Sequence, residues 1–125
     1  MVTTQAAVRS SGYVTAFRAV TVLNALAVLA QGVTAGQLMS GAGAGMHASG
    51  AGAVHVLGLA LLVSAVLLWR PGRGAGWPAL VSLGILLLGM VQSMLGGTGA
   101  VAVHVPLGMT LLGLSVWLMV AAWRR

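Results

Sequence analysis

Three histidines, His47, His55 and His104, are the only side chains in this 125-residue sequence that titrate near neutral pH. The sequence contains no Asp, no Glu and no Cys. Paired-carboxylate catalysis, Asp-containing triads, carboxylate metal sites and acidic proton relays are therefore excluded. So are disulfides, cysteine-ligated iron–sulfur clusters and thioether-attached haem. No particular catalytic reaction can be argued from what remains. Imidazole can still ligate. Two imidazoles from two helices can hold the iron of a b-type haem inside a helical bundle. Imidazole with thioether sulfur can instead hold copper as Cu(I), and Met39, Met46 and Met94 gather toward the same end as the histidines. Methionine could also replace one histidine as a haem ligand.

The elements that must position these groups are apolar. Hydrophobic residues make up 59% of the sequence, charged residues 5%, and the mean hydropathy is +1.05. A soluble domain carries about a quarter charged residues. A membrane-spanning helix needs about 20 apolar residues. The pattern predicts an all-α integral membrane four-helix bundle, one domain over residues 1–125, with spans near 14–39, 45–69, 77–95 and 100–123. The Arg70–Pro78 stretch, with two prolines and three glycines, is the turn between spans two and three. Gly96-Gly97-Thr98-Gly99 is the turn before span four.

All six cations are arginines, and they set the expected topology. Arg9 and Arg18 precede the apolar part of span one, Arg70 and Arg73 separate spans two and three, and Arg124 and Arg125 follow span four. They form no continuous patch, which excludes nucleic acid as a partner. The positive-inside rule puts both termini and the middle loop in the cytoplasm, for a multi-pass protein of the plasma (inner) membrane. Trp69, Trp77 and Trp123 then form an interfacial belt on that side. The first apolar run is too long for a cleavable signal peptide and is expected to stay as a span. All three histidines fall on the outer side.

The two halves share short matches. Gln37-Leu38-Met39-Ser40-Gly41 and Gln92-Ser93-Met94-Leu95-Gly96 both read Q-x-M-x-G, and Ala53-Val54-His55-Val56 recurs as Ala102-Val103-His104-Val105. With the charge pattern, they suggest two helical hairpins related by a pseudo-twofold axis along the membrane normal. Spans two and four would then lie opposite one another. Opposed haem ligands should sit at similar depth. His104 lies 19 residues before Trp123, about 28 Å of helix. His47 lies about 33 Å and His55 about 21 Å before Trp69 at the same rise. Depth favours His47 as the partner of His104; the Ala-Val-His-Val match favours His55. The pair His47–His104 is the preferred reading.

A porphyrin needs small residues on the helices around it. Gly32, Gly36, Gly50, Gly52, Gly89 and Gly108 supply them, although ordinary small-residue helix packing accounts for Gly32 and Gly36 as well. His104-Val105-Pro106-Leu107-Gly108, heading a long apolar helix, resembles the histidine-bearing helix of the heme A synthase family. A histidine at the outer end of span two, before an apolar run ending in Trp69-Arg70, strengthens the likeness. The chain is more similar still to small four-span actinobacterial membrane proteins that resemble one half of that enzyme. Their H-x-x-[NG]-A pattern is matched by His47-Ala48-Ser49-Gly50-Ala51.

The resemblance covers residues 30–123. It implies a four-helix bundle with haem near the outer face, ligated by His47 and His104. Heme A synthases also carry a glutamate near the second-helix histidine and possess two such bundles. This sequence has no glutamate and one bundle, so oxidation of the haem methyl group is not carried over. Haem binding, cytochrome b-like electron transfer or a non-catalytic accessory role remains.

Segment one also carries Asn24, Gln31, Thr34 and Gln37. Asn24 and Gln31 are seven residues apart and share a helix face with Thr34 nearby. Interhelical hydrogen bonding, worth about 0.6 kcal/mol per contact, is the expected role. Contact of Gln31 or Gln37 with a haem propionate or a quinone is the sharper alternative, and Gln92 matches Gln37 in the repeat. The partners open to the chain are the lipid bilayer, a membrane redox complex or quinone, and further copies of itself as a homo-oligomer.

Overall fold

The computed structural model describes residues 2–124, with side-chain surroundings from residue 11 onward. Arg125 and the side chain of Arg9, both used above to orient the chain, lie outside the described residues. Four helices account for the fold: α1 Val2–Met39, α2 Gly45–Trp69, α3 Trp77–Gly97 and α4 Val101–Trp123. No strand occurs among the described residues. All four are long and apolar enough to cross a membrane, the crossing part of α1 being Ser11–Met39. Helix α1 starts well before the expected span because residues 2–13 contain no proline and the backbone continues helical beyond the apolar run. The other boundaries agree with the expected spans to within two residues.

The two connections on the histidine side end their helices in the same way. At α1, Ala42 N–H donates to Gln37 O and Gly41 N–H to Leu38 O, both at 3.0 Å, with Gly41 at φ +96°. At α3, Ala100 N–H donates to Leu95 O (3.0 Å) and Gly99 N–H to Gly96 O (3.2 Å), with Gly99 at φ +75°. This is the Schellman pattern, which requires a left-handed residue just past the helix and so favours glycine. Each turn delivers the chain into the next helix within a few residues. His47 and His104 therefore both fall in first turns. Gly96, matched to Gly41 by the short sequence repeat, lies inside α3; the residue that performs Gly41's turn is Gly99.

Each helix packs on two neighbours, in the cyclic order α1, α2, α3, α4 and back to α1, while the diagonal helices do not touch through their backbones. The core is thin: Phe17, Leu61, Ile85, Leu111 and Leu118 interleave with Ala65, Ala79 and Ala122. Gly58 lets Leu86 of α3 close on α2, since a β-carbon there would sit 3.3 Å from Leu86 Cδ1. Large apolar side chains cover the outside, among them Leu26, Val56, Leu80 and Met109. Water would not tolerate so continuous an apolar surface; hydrocarbon does.

Among the described residues, five buried polar side chains thread this core: Thr21, Asn24, Ser64, Ser82 and Ser115. Thr21, Ser64 and Ser82 satisfy themselves by donating to carbonyls of their own helices, Arg18 O, Leu61 O and Pro78 O. Asn24 crosses between helices: its Nδ2 donates to Ser115 Oγ of α4 at 3.1 Å. That is the interhelical role expected of it.

These differences predict a ranked response to substitution. Leu61→Ala, at a fully buried site, should cost about 2–5 kcal/mol. Ser115→Ala, which removes the acceptor for Asn24, should cost about 0.6 kcal/mol, and under about 1.7. Unfolding in mixed micelles by denaturing detergent measures both; a larger loss for Ser115→Ala would contradict a packing-dominated core.

Candidate functional site

His104 is held by α3. Its Nδ1 lies 2.8 Å from the backbone oxygen of Gln92. A carbonyl only accepts, so Nδ1 carries the proton and donates, and Nε2 keeps its lone pair. The Gln92 side chain returns the contact: Nε2 donates to His104 O at 2.8 Å. Two bonds in opposite directions thus join one glutamine to one histidine. Two glycines make room for them. A β-carbon on Gly108 would lie 2.8 Å from Gln92 Nε2, and one on Gly96 would lie 2.8 Å from His104 Cε1. Gln92 Oε1 is buried without a partner.

His47 is held by α1 in a related manner. Thr34 Oγ1 donates to Gln31 O and stands 3.1 Å from His47 Nδ1. With its single proton given to the carbonyl, the hydroxyl accepts from the imidazole, so Nδ1 is again the protonated nitrogen. The Gln31 amide, turned with its nitrogen toward α2, donates to His47 O at 3.1 Å and accepts from Ala51 N at 3.2 Å. That nitrogen also lies 3.3 Å from Nδ1, a longer contact that would favour the opposite tautomer. The shorter Thr34 contact and its committed proton select Nδ1–H. Gly50 seats this amide, because a β-carbon there would overlap the amide's terminal atom, Oε1 in this orientation.

The two imidazoles meet across the bundle diagonal, with ring centroids 6.1 Å apart and planes at 76°. That separation and angle are also those of an ordinary edge-to-face ring pair. Both rings are half-buried. In each, Nδ1–H is engaged by an oxygen of a neighbouring helix, the arrangement that fixes a ligating histidine's tautomer and orientation. Two imidazoles, each keeping an Nε2 lone pair, are thus the donors that stand between α2 and α4.

His55 is directed elsewhere. Its Nε2 lies 3.4 Å from Ser93 Oγ on α3. Among the described residues, no group of three or more His, Cys, Asp or Glu side chains converges. Met39, Met46 and Met94 are 78%, 69% and 62% exposed, on the outside of the bundle. Gln37 is exposed as well.

Of the glycines expected to admit a flat ligand, Gly50 and Gly108 are filled by the Gln31 and Gln92 amides. Gly32, Gly36 and Gly52 are exposed with open space beside them, and Gly89 is buried beside open space. Thr34, Ser93 and Gly96 belong to the histidine surroundings without having been picked out for that role. Thr34 shares a helix face with Gln31; the Q-x-M-x-G match includes Gly96 but gives no sign that it lies against His104, and nothing in the sequence marks Ser93.

The geometry predicts the tautomers directly. Nitrogen-15 correlation spectra of histidine-labelled protein should show His47 and His104 both protonated at Nδ1. Gly96→Ala should shift the His104 signals and leave those of His55 in place. An Nε2-protonated His104 would remove the lone pair on which the paired-ligand geometry depends.

Comparison with protein-family models, with curated proteins and with solved structures found no match to this chain.

Proposed function

We propose that this chain is a small b-type haem-binding membrane protein, with His47 and His104 as axial ligands near the outer face. The observation that carries the reading is the imidazole pair at 6.1 Å, each ring fixed through Nδ1. Two protein donors are too few for the four-coordinate sites typical of zinc. A macrocycle that brings its own equatorial nitrogens needs only this pair. His55, hydrogen-bonded to Ser93, is the less favoured partner for His104. The methionines needed for copper are spread over the exterior, which speaks for haem over Cu(I). The reading agrees with what the resemblance to one half of heme A synthase implies.

Haem bound here would supply one-electron exchange. The residues themselves hold and orient: Gln92 O and Thr34 Oγ1 accept from the two Nδ1–H groups, leaving both Nε2 lone pairs available. The Gln31 and Gln92 amides brace the backbone beneath each histidine. Gln92 Oε1, a buried acceptor, would take a hydrogen bond from a ligand hydroxyl or a water. The two hairpins, α1–α2 and α3–α4, are related in this reading by a pseudo-twofold axis that sets α2 opposite α4. Arginines and both termini face the cytoplasm, so electrons are passed, or haem is held, near the outer surface, in exchange with a quinone or a membrane redox complex.

The test is a reduced-minus-oxidised visible spectrum of detergent-purified protein expressed with ample haem. Wild type should show a b-type α band that is lost in His47→Ala and in His104→Ala. The band should persist in His55→Ala, Met39→Leu and Met94→Leu. Thr34→Val, which removes the acceptor for the His47 ring, should weaken haem retention by about 10–100-fold. A folded wild type without a band overturns the proposal; retained copper in that sample would favour the Met/His alternative.

A further inference from the structure

Asn24 lies inside the bundle, 1% exposed, and its amide is only half satisfied. Nδ2 donates to Ser115 Oγ, while Oδ1 is buried with no partner. Turning the amide over exchanges its two ends and still leaves one of them unmet. The other hydroxyls of the core cannot supply what is missing. Thr21, Ser64 and Ser82 each commit their proton to a carbonyl of their own helix, so they offer only lone pairs to the interior. Ser115 differs: its oxygen accepts from Asn24, and its own proton meets no acceptor among the described residues.

These groups share one level of the bundle. Gln92 of α3 meets the 104–108 stretch of α4. Ten residues further toward the arginine end, Ser82 comes level with residues 114–118, and so with Ser115. Gly58 of α2 meets Leu86 of α3, which brings Ser64 within two residues of the level of Ser82. Each helix thus gives one small polar side chain to the layer, and none of the four is more than 8% exposed. Within it, a carbonyl oxygen that needs a donor stands next to a hydroxyl that needs an acceptor, in surroundings where unmet polar groups are costly. Water has both functions, makes about three hydrogen bonds when buried, and is small enough for a layer of serines. We propose that this layer binds one water, which donates to Asn24 Oδ1, accepts from the Ser115 hydroxyl and gives its second proton to a serine oxygen of α2 or α3. Helices α1 and α4 touch without a turn to join them. The water adds a second polar link across that seam.

Asn24 is the sole asparagine of the sequence. Asparagine labelled with nitrogen-15 therefore gives one side-chain amide in spectra of the intact protein in lipid nanodiscs. Rotating-frame cross-relaxation should connect its protons to the water resonance, with the sign of dipolar transfer. A signal relayed through the Ser115 hydroxyl proton would look the same, and Ser115→Ala separates the two. That variant lacks the proton but should keep the cross-peak, because the water then accepts from Asn24 Nδ2 instead. No cross-peak in wild type, or its loss in folded Ser115→Ala, would overturn the site. Should that variant not fold, radiolytic footprinting of the wild type decides. Leu118, 1% exposed and one turn from Ser115, should be oxidised by radicals formed from the bound water; an unmodified Leu118 would overturn the site as well.

Discussion

The histidine end of the bundle depends on two glutamine amides, each reaching from one helix to a backbone carbonyl in the next. Gln31 binds His47 O and Gln92 binds His104 O. In hydrocarbon such bonds have no water to compete with them, and an unmet polar group costs several kcal/mol. The amides therefore determine how closely α1 approaches α2 and α3 approaches α4 near their shared turns. The glycine-capped turns deliver both histidines into first turns, and the amides and Thr34 orient what arrives. Placing the imidazoles across a diagonal where the backbones do not meet is the joint outcome.

The arginine end is organised by different physics. There, aromatic rings and a helix-terminal carbonyl position the cation, as in the Arg18 contacts with Trp123 and Ala122. One end of the molecule thus uses neutral hydrogen bonding around imidazole, and the other uses fixed charge. Between them lies a narrow core of alanine, serine and a few leucines, crossed by the Asn24–Ser115 bond. Small side chains of this kind permit close helix approach in lipid, where apolar burial alone provides no drive to associate.

Hydropathy, prolines and glycines made the four helices readable, because hydrocarbon thickness and backbone satisfaction leave few alternatives. Helical rise alone favoured His47 as the neighbour of His104. The surroundings of that pair were less legible. The Q-x-M-x-G match drew attention to Gln37, which is exposed, while Gln31, nearly two turns earlier, takes the contact with His47. The Ala-Val-His-Val match likewise equated His55 with His104, although His55 meets Ser93. Short matches in a sequence rich in Ala, Val and Gly carry little information about rotation around a helix axis. Gly50 and Gly108 were recognisable as small; which side chain would enter the space they leave depends on interhelical distances that composition does not encode.

The glycine–glutamine contacts make their members interdependent. Gly50 with Gln31, and Gly108 with Gln92, each divide one volume between a missing β-carbon and an amide. Enlarging the glycine alone forces the amide out, and shortening the glutamine alone leaves a hole. Changing both together could restore the fit. Each pair should therefore show a large coupling energy in a double-mutant cycle. In diverged copies of this chain the two positions of a pair should change together, leaving a covariation signal at the head of each histidine helix.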